Sequence, residues 1–338
     1  MKSVLVTGAA GFIGVNLVRK LLLDGHKVLS ADALTYAGRK ESLGGCLLDR
    51  NHEFIRLDIT DHEATAAVVT AFSPDWIFHL AAETHVDRSI TGPMDFLKTN
   101  VLGTGNLLQA TLAHWKGMEA ARAEDFRFVH VSTDEVFGTL EEDCGGFTET
   151  SPYRPRSPYA ASKAGSDHAV RAWGITYGLP VIVTNSTNNY GPCQFPEKLI
   201  PTVITRALNG QKIPVYGDGR QSRDWIHVED HCRALGKVAM AGKVGETYLI
   251  GGRNEWRNID LVALLCDLVA EVAGTGDRRG LIEFVTDRPG HDFRYAVDDS
   301  KTRDALGWKP ERDFMEGLRE TVEWYCSHPE FHTDTSAR

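Results

Sequence analysis

Residues 3–25 read SVLVTGAAGFIGVNLVRKLLLDG, and the fold of the chain turns on how this stretch is parsed. "SVLVTG" is an apolar run ending in glycine, the pattern of a buried strand. "FIGVNLVRKLLLDG" then carries apolar residues at helical spacing. Between the two, Gly8, Gly11 and Gly14 are set as G-x-x-G-x-x-G. Glycine at such a turn lets the backbone approach a diphosphate. The amino terminus of the following helix adds unpaired N–H groups and partial positive charge. The spacing is one residue longer than the standard dinucleotide-binding pattern. "KVLSAD" reads as the next strand and ends in Asp32. An acid there can hold the adenosine ribose hydroxyls and repel a 2′-phosphate, so NAD is the expected cofactor rather than NADP. Gly8, Gly11, Phe12, Ile13, Gly14 and Asp32 are the first candidate cofactor contacts.

Outward from this unit the same theme repeats. "HEFIRLDIT", "DWIFHLAA", "RFVHVST" and "PVIVTNS" read as strands, with helical stretches such as "HEATAAVVTAF" and "VLGTGNLLQATLAHW" between them. Such alternation implies an α/β fold, a Rossmann-type doubly wound parallel sheet covered on both faces. Ligands of such sheets bind at the carboxyl ends of the strands. Asp58 and Ile59 follow the third strand, and Ala81 and Ala82 the fourth, which adds them to the cofactor candidates. After about residue 186 the elements shorten. "NNYGPCQFPEKLIP" is read as loop. Helices are expected near "PTVITRALNG" and "EDHCRALGKVAM", and strands at "IPVYGDG" and "TYLIGG". "MEGLRETVEWYCSH" is the last helix, followed by a frayed polar tail. The expected division is a cofactor domain over 1–186, with segments near 226–250 returning to it. A smaller, interleaved α/β substrate lobe covers 187–330, and 331–338 form the tail. Residues 274–280, "GTGDRRG", are the expected mobile loop.

Bulk properties narrow the function classes. The 338 residues are 42% hydrophobic and 25% charged, which is ordinary globular composition. A formal charge of -9 argues against a nucleic-acid surface. Six cysteines without a C-x-x-C pair read as free thiols in a reducing compartment, with no metal site. No apolar run approaches the ~20 residues of a membrane helix. The expectation is a soluble cytoplasmic enzyme of small molecules.

"VSTDEVFG", residues 131–138, places two hydroxyls and two carboxylates where a core strand meets its edge: Ser132, Thr133, Asp134 and Glu135. Downstream, Tyr159 and Lys163 stand in "SPYAASKAGSDHAVRAW". Pro158 marks the start of a helix, so the pair at i, i+4 shares one face. A free phenol has a pKa near ~10. A neighbouring ammonium would favour the phenolate and let Tyr159 accept a proton at neutral pH.

"TGAAGFIG", the serine/threonine strand end and "YAASK" together resemble the extended short-chain dehydrogenases/reductases. "TDEVFG", "ETHVDRSI", "SPYAASKAGSDH", "NNYGPCQFPEKLIP", "RDWIHVEDHCRAL" and "DRPGHDFRYAVD" narrow this. They resemble the nucleotide-diphosphoglucose 4,6-dehydratases, the dTDP-glucose branch most closely, from residue 4 to about 325. The resemblance implies oxidation of the sugar at C4, loss of water across C5 and C6, and return of the hydride to C6. A base must take the C5 proton that the C4 ketone has made acidic, and an acid must protonate the departing C6 hydroxyl. By resemblance Asp134 is the acid and Glu135 the base. Helix geometry beginning at Thr133 would splay the two side chains by roughly 100°. Thr133 should then bond the C4 oxygen, with Tyr159 and Lys163 removing the hydroxyl proton.

The same resemblance implies the remaining contacts. Ser186, where the family usually has Cys, lies by the nicotinamide amide. Asn188 and Arg223 bind the diphosphate, with Lys198 and Leu199 just beyond. Pro214 and Tyr216 meet the base. Asn258, Arg288 and His291 close over the nucleotide, and Thr84 and His85 line the sugar pocket. Departures from the family pattern are Phe137 for Tyr, Cys193 for an aromatic, and Val15 for Ser or His. A homodimer is expected through helices near 100–112 and 159–173. Two other functions fit parts of the pattern. A nucleotide-sugar 4-epimerase would need the tyrosine but not the acid pair. An NAD-binding sensor without turnover would be expected to lose Tyr159 or Lys163.

Overall fold

A computed structural model describes residues 1–332. The first half runs β1 (Ser3–Thr7), α1 (Phe12–Leu23), β2 (Lys27–Asp32), β3 (His52–Arg56), α2 (His62–Phe72) and β4 (Trp76–His79). Short helices α3 (Val86–Thr91) and α4 (Pro93–Phe96) lead through a π-helical stretch into α5 (Thr104–Lys116). After α6 (Ala120–Glu124) come β5 (Arg127–Thr133), α7 (Pro158–Tyr177) and β6 (Val181–Ser186). The chain continues through β7 (Asn188–Tyr190), α8 (Leu199–Leu208), β8 (Ile213–Tyr216), β9 (Ser222–His227), α9 (Val228–Ala241) and β10 (Thr247–Ile250). It closes with β11 (Glu255–Arg257), α10 (Asn258–Val272), β12 (Ile282–Val285), β13 (Arg294–Tyr295), α11 (Ser300–Leu306) and α12 (Phe314–Ser327).

Seven parallel strands form the main sheet in the order β10-β6-β5-β4-β1-β2-β3. Strand residues alternate between its faces. Val4 and Val6 pack with α1 and α9, while Leu5 packs with Leu107, Leu108 and Val170 of α5 and α7. Both faces are therefore dry, which explains why the strands read as unbroken apolar runs. The direction of winding reverses between β1 and β4. At their carboxyl ends, where ligands of such sheets bind, the glycine loop lies against the segment after β4.

Residues after β6 alternate between this sheet and a smaller body. β10 pairs with β6 at the sheet edge, while β7, β9, β11 and β13 make a separate small sheet. β8 pairs with β12. Three readings need correction here. "NNYGPCQFPEKLIP" is not all loop, because Asn188–Tyr190 form β7 and pair in parallel with β9. Three residues are too short to show a period in sequence. The sequence reading also passed over α10, whose Leu261, Val262, Leu265 and Val269 are buried. Finally, the chain does not fray directly after α12. Pro329–Phe331 form a 3₁₀ turn, with Phe331 buried against Trp324 and under the Arg39 guanidinium. Residues 333–338 of the expected tail lie outside the described residues.

Candidate active site

The glycine loop is held by close packing. Gly8 has φ +69°, and a Cβ there would sit 2.7 Å from the Ala81 nitrogen. A Cβ on Gly14 would meet the Gly8 carbonyl at 2.2 Å. Only glycine lets the first turn of α1 fold back onto the loop and the loop lie against the segment after β4. Gly11 stands at the helix N-cap and offers no side chain to the free N–H groups of the first turn, which begins with Phe12 and Ile13. Asp32 takes the Ala10 N–H at 2.9 Å on one oxygen and the Leu34 N–H at 2.7 Å on the other. Each oxygen keeps a lone pair for a hydroxyl. Burial raises this carboxyl above its usual value, against those two hydrogen bonds. Asp58 and Thr60 border a cavity of about 460 Å³ that Tyr36, Glu83 and Lys98 also line. Ile59 is buried against Gly103, and Ala81 and Ala82 follow β4 after Leu80. An uncapped helix terminus, a close glycine turn and an acid at the end of β2 form a donor and acceptor set that fits a dinucleotide.

The second cluster stands at the end of β5. Thr133 is still extended, and its hydroxyl accepts the Glu135 N–H at 3.2 Å, which caps a 3₁₀ turn over Asp134–Phe137. The turn therefore begins one residue later than the sequence suggested and is tighter than an α-helix. Asp134 is buried, and its Oδ2 has no hydrogen-bond partner among the described residues. Burial, then the Glu135 charge, holds the Asp134 carboxyl well above its usual value. Burial also raises Glu135, but Arg288, Lys198 and Arg223 pull it back.

Tyr159 and Lys163 lie on α7 beneath this turn. Thr133, Glu135 and Asp134 are among the groups that act on the Tyr159 hydroxyl. Hydroxyl, acid pair and tyrosine thus share one pocket. The expected depression of the phenol is not what the protein's own groups produce. Burial and the Glu135 charge hold Tyr159 well above its ordinary value. The Lys163 ammonium donates instead to the Val131 carbonyl at 3.0 Å, and burial lowers it to about 8. Ser186 ends β6, beside Thr133 in register, and its hydroxyl is 3.4 Å from the Asn189 amide.

From the smaller body, Arg223 on β9 reaches the same pocket. It is buried, donates to the carbonyls of Ser222 at 2.7 Å and Asp292 at 2.8 Å, and stacks 4.2 Å over the Tyr295 ring. Lys198 caps α8 ahead of Leu199 and donates to the Thr84 carbonyl at 2.8 Å, tying the body to the segment after β4. Pro214 and Tyr216 sit on β8. The Tyr216 hydroxyl donates to Asp87 at 2.9 Å, and Arg288 lies 3.4 Å from the other oxygen of that carboxylate. His291 is 2.7 Å from Asp287, and burial with the Arg288 charge lowers it to about 4. Asn258 opens α10, and its Oδ1, like the Arg288 Nε, is buried without a partner among the described residues. Asn188 begins β7. His85 caps α3 and stands 3.5 Å from Glu197; burial lowers it to about 4. Its placement beside Lys198 keeps it near the pocket.

The departures are accommodated. Phe137 is stacked on Phe147 and edge-on to Tyr153, a dry setting with no need for a hydroxyl. Val15 is core. Cys193 has φ +71° and takes an Arg19 N–H at 3.7 Å. Sequence reading missed two binding-site organisers. Asp87 joins Tyr216 and Arg288 across the cleft, and Asn100 bonds both backbone groups of Glu83 and the Ser162 hydroxyl. Nothing in the local pattern distinguishes either residue from a solvated polar one.

Comparison with known proteins agrees with this geometry. The model of the GDP-mannose 4,6 dehydratase family matches residues 5–321. The chain is 52% identical over 335 residues to dTDP-glucose 4,6-dehydratase 1 of Escherichia coli (strain K12), covering 96% of this chain and 93% of that one. It is 53% identical over 334 residues to the dTDP-glucose 4,6-dehydratase of Neisseria meningitidis serogroup B, covering 97% and 94%. The crystal structure of DesIV, a dTDP-glucose 4,6-dehydratase from Streptomyces venezuelae with NAD and TYD bound, matches with a TM-score of 0.89 at 44% identity, covering 97% of this chain and 98% of that one.

Proposed function

Because the chain belongs to the GDP-mannose 4,6 dehydratase family, and within it to the dTDP-glucose 4,6-dehydratases, we propose the following division of labour for its site. The protein is a hydro-lyase that converts dTDP-glucose to the 4-keto-6-deoxy sugar, with NAD as its cofactor. NAD, when bound, supplies the acceptor for hydride from C4 and the donor that returns it to C6. The glycine loop and Asp32 hold that cofactor, with Asp58, Ile59, Ala81, Ala82 and Ser186 along its length. Thr133 bonds the C4 oxygen, and Tyr159, supported by Lys163, takes the C4 hydroxyl proton. Glu135 takes the C5 proton. Asp134 gives its proton to the C6 hydroxyl, which leaves as water.

The observation that carries this division is the unequal setting of the two adjacent carboxyls. Asp134 is buried, with no partner for Oδ2 among the described residues, and is pushed well up, which favours its protonated form. Burial raises Glu135 as well, but Arg288 and Lys198, with Arg223, which pulls on both carboxyls, favour its ionised form. Two carboxyls whose settings separate their affinities for a proton suit an acid and a base. Thr84, Asn188, Lys198, Leu199, Pro214, Tyr216, Arg223, Asn258, Arg288 and His291 hold the nucleotide and sugar. Residues 1–186 with the returning strand β10 serve the cofactor, and most of 187–330 serve the substrate.

The decisive experiment is turnover of dTDP-glucose in D₂O with the product read by NMR. A dehydratase places solvent deuterium at C5 of a 4-keto-6-deoxy sugar. A galactose-configured product without deuterium would identify a 4-epimerase instead, and an unchanged substrate a sensor. No helix among the described residues is long and apolar enough to cross a membrane. A cytoplasmic homodimer is the assembly we propose, joined through α5 and α7. Leu102 and Ile175, 65% and 87% exposed near these helices, support that face. A monomer in sedimentation would refute it.

A further inference from the structure

Behind Tyr159 and Lys163 lies a carboxylate that the reaction as written does not use. Asp167 is one helical turn beyond Lys163 on α7 and is fully buried. Its Oδ1 accepts from His130 Nε2 on β5 at 3.0 Å. Its Oδ2 accepts from the Tyr153 hydroxyl at 2.7 Å and from Asn185 Nδ2 on β6 at 3.2 Å. Donors from three separate segments converge on one side chain. The same Asn185 amide donates to the Thr133 carbonyl at 2.9 Å. Two hydrogen bonds therefore connect Asp167 to the backbone from which Asp134 and Glu135 project.

We propose that Asp167 is a positioning residue for the C4 oxidation: a buried counter-charge to Lys163 that also anchors the Thr133 backbone through Asn185. The inference rests on the function proposed above for Tyr159 and Lys163.

A buried carboxylate is costly unless it is fully bonded, and Asp167 has donors on both oxygens, so it can keep its charge here. Burial pushes Asp167 up, but His130, Lys163 and Tyr153 more than offset this and hold it below the usual range. The groups around it set how much of that charge Lys163 feels. His130 is lowered by burial to about 4 and is neutral at neutral pH, so it donates to Asp167 without cancelling it. His79 on β4 lies beside His130, with ring centroids 5.2 Å apart, and burial lowers it as well. Arg171 on α7 donates to the Tyr153 hydroxyl at 2.7 Å and so meets Asp167 through that phenol. Lys163 is the cation left facing inward. Burial lowers it to about 8, and Asp167 is what pulls it back up. Below that value Lys163 carries the charge that the proposed function asks of it; above it that charge is lost.

Asp167→Asn removes the charge. His130 can switch its ring hydrogen to Nδ1, which is buried without a partner among the described residues, and accept from the new amide, so the contacts survive at the cost of one unpaired N–H. The readout is the pH profile of kcat/KM for dTDP-glucose. In the parent its alkaline limb should fall near 8, where Lys163 loses its proton. In Asp167→Asn that limb should move to lower pH by roughly one unit or more, as expected when a nearby opposite charge is deleted. Tyr153→Phe deletes one hydrogen bond and keeps the charge, so its limb should stay in place. An unmoved limb in Asp167→Asn, an equal shift in Tyr153→Phe, or a parent profile with no alkaline limb overturns the proposal. If Asp167→Asn does not fold, Asp167→Ser, which leaves room for water, carries the same expectation. Carbon NMR of the unaltered protein adds a test without substitution. Asp167 should remain ionised at about pH 4, where ordinary aspartates are half protonated, and titration above that value refutes the counter-charge. A parent that forms no product from dTDP-glucose refutes the proposed function instead, which keeps the two failures apart.

Discussion

Glu135→Gln keeps the shape of the side chain and removes the group proposed to take the C5 proton. Burial raises the Glu135 carboxyl, and Arg288, Lys198 and Arg223 draw it back toward ionisation. An amide in that place keeps the volume of the side chain, so the pocket should stay assembled, although it loses the charge on which those cations act. It cannot accept a proton. A positioned general base contributes about 10²–10⁴-fold. Product formation should therefore fall by that factor, about 3–5 kcal/mol of barrier. The C4 step should respond differently. After burial, the Glu135 charge is the largest influence raising the Tyr159 phenol. Neutralising it should make the phenol easier to ionise, so reduction of the bound nicotinamide should persist and extend to lower pH. Stopped-flow absorbance of the reduced cofactor, followed by NMR of quenched product, separates the two steps. Product formation within a few-fold of the parent would refute Glu135 as base. Equal loss of both steps in a folded variant would refute the division between Glu135 and Tyr159.

Gly8→Ala forces a Cβ into a left-handed residue 2.7 Å from the Ala81 nitrogen. It should cost at least about 1–2 kcal/mol in urea unfolding and weaken NAD binding, and a variant of parental stability would contradict the packing described. Arg223→Lys loses the planar fork that spans the Ser222 and Asp292 carbonyls and stacks on Tyr295. KM for dTDP-glucose should rise roughly tenfold or more, and an unchanged KM would remove Arg223 from the binding site. His231 is fully buried, and burial lowers it from 6.5 to about 3. The unfolded chain binds that proton below 6.5 and the folded chain does not, so this contribution is present above 6.5 and lost as pH falls toward 3. His231→Gln should lose stability less steeply than the parent over that window, by up to about 1.4 kcal/mol per pH unit, and parallel urea-unfolding curves would refute it.

Most of the main sheet could be read from the chain because its strands are buried on both faces and its helices on one. Those two burial patterns leave different periods in sequence. β7 and α10 were missed for opposite reasons. β7 is only three residues long, and its pairing with β9 is decided far away in the chain. α10 is so apolar, with Leu261, Val262, Leu265, Cys266, Leu268 and Val269 all buried, that little polar contrast marks its face. At the site, the chemistry-bearing residues stood out because they lie at strand ends. Asp87 and Asn100 did not, because their partners, Tyr216 with Arg288 and Glu83 with Ser162, come together only in the folded chain. The Tyr159 phenol shows the same limit from another side. An i, i+4 lysine suggested an acidified phenol, yet Lys163 is turned to the Val131 carbonyl and burial dominates.

The adjacent acids show how tertiary setting separates two like residues. On a 3₁₀ turn, successive side chains point roughly 120° apart. Thr133 fixes where that turn begins by accepting the Glu135 N–H, so the divergence has a defined origin. One direction leads under the turn, where Asp134 is 1% exposed and its Oδ2 finds no partner among the described residues. The other leads toward the smaller body and its cations, Arg288 first among them. Neither direction is encoded by the dipeptide, since exchanging which carboxyl met Arg288 and Lys198 would exchange which one is drawn toward ionisation. The acid–base order at this site is therefore a property of how β8–β9 and the 287–292 segment close over the end of β5. Loosening that closure should blur the difference between the two carboxyls before it disturbs the sheet beneath them.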